Sequence, residues 1–322
     1  MRPPEFWYRD DFSSRVLAAT LGPLGRLYGA TVSRKYRRQA PYHSTARVIC
    51  VGNLTVGGTG KTPVAIALAR ILQSKRASAA FLARGYGRRS PEAIRVDPQI
   101  HDARVVGDEA LLLARAGPTI VAANRAEGAR LAERSGADVI IMDDGHQNFT
   151  LAKDLSLLVI DGETGFGNGR MVPAGPLRES VAQGLARADT VIIMGNGSPS
   201  LPGFFGPVLR ARLASKQRLD GLPLIAFAGI GRPEKFFAAL RHQGANLVEV
   251  HAFSDHHAYT ATEIVRLRGR AKAAGAILMT TEKDFVRLNV NERDGIDVLP
   301  VRAVFDDPDA IGGLLAAAIS CP

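Results

Sequence analysis

Short apolar runs alternate with helix-like segments along the chain from residue 46 onwards, and most of these runs end in Gly or Asp. Short apolar runs bounded by turn residues are typical of strands that are buried on both faces of a sheet. We therefore predict six parallel strands, at residues 48–51, 79–83, 120–123, 139–142, 157–160 and 191–194. Their alternation with helical segments predicts an α/β fold with a doubly wound parallel sheet.

A stretch rich in Gly, Pro and Ser at residues 195–207 interrupts this alternation and predicts a boundary between lobes. Beyond it the pattern resumes and predicts strands at 224–228, 247–253 and 276–280 with helices at 233–242 and 261–274. These elements are enough for a second, smaller α/β lobe. The chain is thus predicted to comprise an N-terminal arm, a larger lobe and a smaller lobe, at residues 1–45, 46–200 and 201–322.

The N-terminal arm carries an amphipathic pattern. Four apolar side chains recur at the spacing of one helical face: Leu17, Leu21, Leu24 and Tyr28. Glycine and proline at 22, 23 and 25 interrupt any single long helix. Aromatic residues at 6–8 precede this face and a basic segment at 34–38 follows it. Two interpretations stay open, an interfacial helix on anionic lipid and a helix that packs on the protein's own core.

Composition and charge narrow the class of protein. A length of 322 residues, with 46% hydrophobic and 22% charged residues, is typical of a globular chain of about two domains. The net charge of +10 indicates a polyanionic partner such as nucleic acid, anionic lipid or a phosphorylated substrate. Residues 1–45 hold eight basic and three acidic side chains, which is half of that net charge and favours lipid as the partner of the arm.

Targeting signals and cysteine chemistry are not indicated. Cys50 and Cys321 lie too far apart in the chain for metal-ligand spacing, and they favour a reducing compartment. Charged residues precede any apolar stretch at the N-terminus, which argues against a secretory signal. No window approaches the roughly 20 apolar residues of a spanning helix, so we expect neither export nor membrane insertion.

The strongest chemical signal is a glycine-rich loop between a predicted strand and a predicted amphipathic helix. The loop residues expected to hold a nucleotide are Thr55, Val56, Gly57, Gly58, Thr59, Gly60, Lys61 and Thr62. Backbone N–H groups and the helix N-terminus attract phosphate, Lys61 would reach the β- and γ-phosphates, and Thr62 would bind Mg²⁺. Thr55 stands where the strict motif has Gly. The loop predicts that a nucleoside triphosphate and Mg²⁺ bind here and makes the larger lobe one of the P-loop NTPase type.

Two acidic residues that could complete a nucleotide site follow the strand predicted at 139–142. Asp143 and Asp144 come directly after this apolar run. Because Mg²⁺ on nucleotide phosphates needs carboxylate ligands, the pair is expected at the metal.

Three further polar clusters have both a functional and an ordinary interpretation. The segment at 84–89 combines Gly with cations and is typical of a phosphate-binding loop or a solvated loop. Asp108 and Glu109 open an apolar helix, where acids also stabilise the helix dipole. Asp255, His256 and His257 follow a strand and are competent for proton transfer, whereas zinc is not expected, because no further His or Cys cluster completes a metal site.

Taken in order, these motifs resemble one family, the tetraacyldisaccharide 4'-kinases of lipid A biosynthesis. The resemblance covers about residues 45–290 and rests on the loop at 51–63 and on the segments 84–87, 107–109, 143–145, 173–179, 255–256 and 280–284. It implies transfer of the γ-phosphoryl group of ATP, with Mg²⁺, to the 4'-hydroxyl of a lipid A disaccharide 1-phosphate, giving lipid IVA. It also implies two lobes that close over the nucleotide, at the cytoplasmic face of the inner membrane.

The resemblance also implies roles for single residues. Asp108 matches the family's general base and His256 matches the histidine that supports it. Arg178 and Glu179 match residues that handle phosphate charge and Mg²⁺, while Asp143 and Asp144 match the acidic pair. With Lys61, this gives the predicted catalytic residues Asp108, His256, Lys61 and Arg178, and the predicted metal ligands Thr62, Asp143, Asp144 and Glu179.

One segment departs from the family pattern. The acidic pair is usually followed by Gly-Phe-Gln-His, whereas this chain has Gly145, His146, Gln147 and Asn148. A role of the family's histidine at the fourth position therefore does not transfer to Asn148, and His146 is not assumed to replace it. Thr55 is a smaller departure, since Thr or Ser is tolerated there.

Two other functions stay open beside the kinase. The positive charge also suits a P-loop NTPase that acts on or beside nucleic acid, and the amphipathic arm suits a nucleotide-gated membrane-binding module. The kinase interpretation predicts a lipid A disaccharide 1-phosphate and an anionic inner-membrane surface as partners. It predicts neither nucleic acid nor an obligatory protein partner.

Overall fold

Two β-sheets, one of nine strands and one of four, organise the chain. The structure is a computed structural model and describes residues 3–38, 40–85, 88 and 91–320. Its strands are β1 (Arg47–Gly52), β2 (Ala79–Ala83), β3 (Ile94–Arg95), β4 (Thr119–Val121), β5 (Val139–Asp143), β6 (Leu155–Asp161), β7 (Thr190–Met194), β8 (Val208–Ala214), β9 (Pro223–Ala228), β10 (Asn246–Ala252), β11 (Ile277–Thr281), β12 (Ile296–Leu299) and β13 (Arg302–Phe305).

Helices flank both sheets. They are α1 (Phe12–Thr20), α2 (Gly22–Arg38), α3 (Lys61–Ser74), α4 (Ala103–Val106), α5 (Asp108–Ala114), α6 (Arg125–Arg134), α7 (Val181–Leu185), α8 (Pro233–His242), α9 (Ala261–Ala273), α10 (Glu282–Phe285) and α11 (Pro308–Ser320), with short 3₁₀ turns at Glu5–Trp7 and Val290–Glu292.

The large sheet has the strand order β13-β8-β7-β6-β1-β5-β2-β4-β3. Its strands from β8 to β4 run parallel, and the edge strands β3 and β13 pair antiparallel. Successive strands are added to opposite sides of β1, so the order reverses there and opens a crevice at the carboxyl ends of the strands. The predicted α/β fold with a doubly wound parallel sheet is confirmed.

All six strands predicted for the large sheet are present, shifted by at most a few residues. Their side chains are buried on both faces, which is why they appear in the sequence as uninterrupted apolar runs. The pattern missed β8, because its exposed arginines hide the alternation of a partly solvated strand. The apolar face predicted for the helix after the glycine-rich loop is also present, since α3 buries Val64, Leu68 and Leu72 completely.

The small sheet has the order β10-β9-β11-β12 and is wholly parallel. The chain then returns to the large lobe, where β13 pairs with β8 and α11 adds Ile311 and Leu315 to the main core. The change of sheet therefore lies between β8 and β9, not at the boundary predicted at residue 200. The C-terminal segment predicted for the smaller lobe packs on the larger one, because it covers the otherwise open edge of β8.

The N-terminal arm packs one face on the large lobe and exposes another. Small residues form the packed face and are buried: Ser14, Ala18, Gly25 and Gly29. Apolar side chains on the opposite face are exposed: Phe12, Val16, Leu17, Leu24, Leu27 and Tyr28. The packing of the arm on the protein's own core is thus observed, whereas the interfacial role of its exposed face stays a prediction. Trp7 belongs to the packed side, where its indole N–H donates to the carbonyl of Pro173 at 3.1 Å. Within the described ranges, no helix is long and apolar enough to cross a bilayer.

Candidate active site

The glycine-rich loop leaves the carboxyl end of β1 and enters α3 at the point where the strand order reverses. Its backbone turns through Gly57 and Gly60, at φ +113° and +88°, which residues with a Cβ adopt only at a cost. Gly60 caps α3 without a side-chain hydrogen bond, so the first N–H groups of the helix stay available to an anion. Thr55 fits at the strict motif's Gly position, because it is buried in a short antiparallel bridge with Leu177.

The two acids after β5 have different surroundings. The hydroxyl of Thr62 donates to Asp143 Oδ2 at 2.9 Å, while Asp143 Oδ1 is buried and has no hydrogen-bond partner among the described residues. Burial raises the pKa of Asp143, although neighbouring Lys61 acts in the opposite direction. An unsatisfied buried carboxylate oxygen beside a threonine hydroxyl is a donor set suited to Mg²⁺.

Asp144 instead lies among cations. Its carboxylate accepts from Arg178 Nη1 at 2.7 Å, and Lys61 Nζ is 3.5 Å away. Burial raises the pKa of Asp144, but the charges of Lys61 and Arg178 outweigh this effect and hold the pKa below its ordinary value. The structure thus brings together five predicted site residues at the end of β5: Lys61, Thr62, Asp143, Asp144 and Arg178.

Glu179 occupies a separate environment. Its carboxylate is almost fully buried, forms an ion pair with Arg187 and accepts from Gln147 Nε2 at 2.8 Å. Gln147 also donates to the carbonyl of Asn53 at 2.8 Å, which ties this carboxylate to the start of the loop. In the part of the chain that the structure describes, Glu179 does not join Asp143 and Asp144 in a group of ligand atoms within 4.8 Å of one another. Its role as a metal ligand stays a prediction.

Asp108 and His256 meet where the two lobes touch. Asp108 is the first residue of α5 in the large lobe, and His256 lies after β10 of the small lobe with φ +57°. His256 Nδ1 lies 3.0 Å from Asp108 Oδ2, and because a carboxylate only accepts, the imidazole donates this hydrogen bond. Sequence reasoning had paired these residues only through the family resemblance.

Two cations that sequence reasoning left without a role also contact this carboxylate. Arg287 Nε donates to Asp108 Oδ2 at 2.8 Å, its Nη2 is a second donor to the same oxygen, and Lys283 Nζ lies 3.9 Å away. Burial raises the pKa of Asp108, but the hydrogen bond from His256 and the charges of Lys283 and Arg287 outweigh it and hold the pKa well below its ordinary value. Asp108 is therefore ionised.

The same cluster holds a described group of three potential metal ligands, Asp108, Glu109 and His256. Lys283 forms an ion pair with Glu109 at 2.7 Å, and Arg287 contacts Asp108. These cations already neutralise the carboxylates, so we assign no metal there.

The small lobe also faces the glycine-rich loop. A methyl group placed on Gly231 would lie 3.8 Å from the Gly58 amide nitrogen and 3.4 Å from Asp255 Oδ2. Gly231 and Arg232 line a cleft with loop residues 55–59 and with Tyr8 of the arm. Gly231 therefore lies close both to the glycine-rich loop and to Asp255, the residue before His256.

The remaining candidates have structural contacts. His146 is fully buried behind the loop and donates through Nε2 to the carbonyl of Gly184 at 2.9 Å. Asn148 accepts from the Thr150 amide at 3.1 Å and stabilises a turn. His257 lies 3.1 Å from Glu263, within the small lobe.

The phosphate-binding interpretation of the segment at 84–89 rests partly on Tyr86, Gly87 and Arg89, which lie outside the described residues. Arg88 is described and donates to the carbonyl of Val121 at 3.1 Å.

Comparison with known proteins gives one consistent family. A family model described as tetraacyldisaccharide-1-P 4'-kinase matches residues 17–320. The tetraacyldisaccharide 4'-kinase of Paramagnetospirillum magneticum is 50% identical, over 97% of this chain and 97% of the relative. Those of Rhodospirillum rubrum and Maricaulis maris are 47% and 48% identical, over 98% of this chain and 97% and 96% of the relatives.

A solved structure has the same architecture. The crystal structure of LpxK from Aquifex aeolicus in complex with ATP matches with a TM-score of 0.76 and 26% identity, over 94% of this chain and 99% of that chain. The family model and the relatives each cover nearly the whole chain, which confirms the resemblance that the motifs indicated. The chain belongs to the tetraacyldisaccharide 4'-kinase family.

Proposed function

We propose that this chain is an ATP-dependent kinase that phosphorylates the 4'-hydroxyl of a tetraacyldisaccharide 1-phosphate and so forms lipid IVA. The observation that carries this proposal is the ionised carboxylate of Asp108, held by His256 from the other lobe, while Gly231 of that lobe lies beside the phosphate-binding loop. A carboxylate next to bound phosphates is suited to a hydroxyl acceptor, whose proton must leave as the phosphoryl group arrives.

The nucleotide would lie along the loop at 55–62. The available N–H groups at the start of α3 and the ammonium group of Lys61 would neutralise its phosphates. Lys61 Nζ lies 3.5 Å from Asp144 Oδ1, so its positive charge lies at the carboxyl end of β5. Arg178 contacts the same carboxylate and would add a second cation for charge that develops during transfer.

Thr62 and Asp143 are the residues best placed to hold Mg²⁺, because Asp143 accepts from the Thr62 hydroxyl through Oδ2 and keeps an unsatisfied Oδ1. When bound, the ion neutralises negative charge on the phosphates and orients them. Asp144 completes the acidic pair. Glu179 remains a predicted ligand whose carboxylate is held by Arg187 and Gln147.

Phosphoryl transfer requires mainly that the reacting groups are positioned and that negative charge is neutralised, because it proceeds through a loose transition state. Asp108 orients the acceptor hydroxyl and takes its proton as the new P–O bond forms and the bond to ADP breaks. Its pKa, which is well below the ordinary value, makes it a weak base. A weak base suffices when the proton leaves late.

The lipid substrate implies a membrane surface as the place of reaction. We assign the chain to the cytoplasmic face of the inner membrane as a peripheral protein. The exposed apolar face of α1 and α2 supports this assignment, since it includes Leu24 and Leu27, at 55% and 65% exposure. Basic residues of the arm would add attraction to anionic lipid headgroups.

The test is direct transfer. Purified protein is incubated with Mg²⁺, ATP labelled on the γ-phosphate and a tetraacyldisaccharide 1-phosphate, and the lipids are separated. We expect labelled lipid whose formation requires the 4'-hydroxyl. A second arm adds DNA or RNA without lipid. ATP hydrolysis stimulated by nucleic acid, without labelled lipid, would support the NTPase instead, and nucleotide-dependent vesicle binding without transfer would support the membrane module.

A further inference from the structure

Arg287 joins the two lobes through its guanidinium group, which is 6% exposed. Nε and Nη2 donate to Asp108 Oδ2 in the large lobe. Nη1 donates to Asp284 Oδ1 and to the carbonyl of Gly229 in the small lobe, each at 2.7 Å. One planar group thus connects two buried carboxylates that come from different lobes.

We propose that Arg287 is a positioning residue that holds the Asp108 carboxylate in one orientation, with Oδ1 directed to the acceptor hydroxyl of the substrate. This inference rests on the proposed function of Asp108. Arg287 itself touches neither substrate nor nucleotide in this role and acts through the carboxylate.

The hydrogen bonds of Asp108 distinguish its two oxygens. Oδ2 accepts from His256 and twice from Arg287, whereas Oδ1 accepts one described hydrogen bond, from the Glu109 amide at 3.0 Å. A carboxylate oxygen has about two lone-pair sites. Oδ2 is therefore fully occupied, and Oδ1 is the oxygen that can take a further donor such as a sugar hydroxyl.

The anchor of Arg287 is rigid because Asp284 is itself fixed. Asp284 is fully buried and accepts from the Gly229 amide at 3.0 Å, the Tyr259 hydroxyl at 3.0 Å and the Thr281 hydroxyl at 2.6 Å. A planar guanidinium can reach both carboxylates at once, whereas the ammonium group of a lysine is a point charge. The fork of Arg287 thus sets the orientation of Asp108 as well as its charge.

Arg287 also affects the pKa of Asp108, together with the other charged groups around this carboxylate. The groups that face the carboxylate are His256, Glu109, Lys283 and Arg287, and Asp255 lies 3.8 Å from the other nitrogen of His256. Asp284 and Tyr259 face Arg287 from the small lobe. Removing Arg287 would leave the effect of burial, which raises the pKa of Asp108, less opposed.

The test compares Arg287→Gln and Arg287→Lys in the full-length kinase, with kcat and kcat/KM measured against pH. For Arg287→Gln we expect the acidic limb of kcat/KM to move up by about 1–3 pH units, and kcat to stay about 10- to 100-fold below wild type at high pH, because the orienting fork is lost as well. For Arg287→Lys we expect the limb to stay near its wild-type position, while kcat falls by about 10- to 100-fold at every pH and KM changes little.

Arg293→Gln is the matched control. Arg293 lies on the same lobe, donates to the carbonyls of Leu288 and Val286, and makes no described contact with Asp108. We expect it to lower stability without moving the acidic limb. If Arg287→Gln fails to fold, Arg287→Lys decides alone, because it keeps the charge.

Wild-type kcat in Arg287→Lys would overturn the inference, as would wild-type kcat in Arg287→Gln at high pH. Asp108→Asn separates this result from the proposed function. If Asp108→Asn is inactive while the Arg287 variants behave like wild type, only the role of Arg287 fails. If Asp108→Asn keeps full activity, the proposed site fails.

Discussion

His256 Nδ1 lies 3.0 Å from Asp108 Oδ2, although the two residues are 148 positions apart in the chain. Asp108 belongs to the lobe that carries the phosphate-binding loop, and His256 belongs to the other. The proposed proton-accepting group is therefore complete only when the lobes are in contact, and a displacement of the small lobe would remove His256 and Arg287 from Asp108 together.

Asp108→Asn is expected to reduce transfer of phosphate to lipid by about 100- to 10,000-fold, because an amide keeps the shape of the side chain but takes no proton. The measurement is the rate of labelled lipid formation. Circular dichroism of the same preparation checks that the fold is kept. A rate like that of the wild type would contradict the assignment.

Lys61→Ala is expected to abolish measurable turnover, since it removes the positive charge that would reach the β- and γ-phosphates. Lys75→Ala is the matched control, because Lys75 is exposed at the opposite end of the same helix, α3. Kinase assays at saturating ATP compare the two variants. Equal loss in both would mean that the phenotype does not come from the nucleotide site.

Replacing Leu24 and Leu27 by Glu is expected to release the protein from vesicles that contain anionic lipid, because it places charge on the exposed apolar face of the arm. Val265→Glu is the control, since Val265 is 64% exposed on the small lobe. Sedimentation with vesicles measures the bound fraction. Unchanged sedimentation of the leucine variant would remove the arm as the membrane contact.

Gly25→Ala is expected to weaken docking of the arm by about 1–3 kcal/mol, because the added methyl group would lie 2.8 Å from the backbone oxygen of Met171. Gly313→Ala on α11 meets nothing within 4 Å and should be neutral or stabilising by up to about 1 kcal/mol. Trp7 is the only tryptophan and is buried on the packed side of the arm, so its fluorescence during urea titration reports on this contact. Equal midpoints in the two variants would argue against close packing at Gly25.

Buried His146 should make stability depend on pH. Burial lowers its pKa to about 3 from the ordinary 6.5, with Lys153 and Arg187 acting in the same direction. The unfolded chain therefore binds this proton first as the pH falls, so stability is lost from about pH 6.5 towards pH 3. At pH 5 the loss amounts to about 2 kcal/mol.

The matching variant is His146→Phe, which has no titrating group at this position. Urea unfolding of the wild type and the variant at pH 8 and pH 5 gives the change in unfolding free energy for each. We expect the decrease to be smaller in the variant by about 2 kcal/mol. Equal decreases would show that His146 is protonated as readily in the folded chain as in the unfolded one.

Local signals were enough for the six buried strands of the large sheet and for the phosphate-binding loop. A strand such as β6 is buried on both faces, so most of its side chains are apolar and the strand appears in the sequence as an apolar run. The loop needs Gly at positions of positive φ and a lysine at the start of α3, and these requirements lie within a few neighbouring residues. For the same reason Asp143 and Asp144 were predicted at the end of a strand.

Only the tertiary structure decided which distant side chains share a contact. Nothing near Arg287 in the chain indicates that its guanidinium reaches Asp108, and nothing near Glu179 indicates that Gln147 donates to its carboxylate. The return of β13 and α11 to the large lobe was missed for a related reason, since periodicity reports whether a face is buried and not which sheet buries it. The sequence by itself determined the elements and the loop chemistry, whereas the meeting of the two lobes determined the surroundings of Asp108.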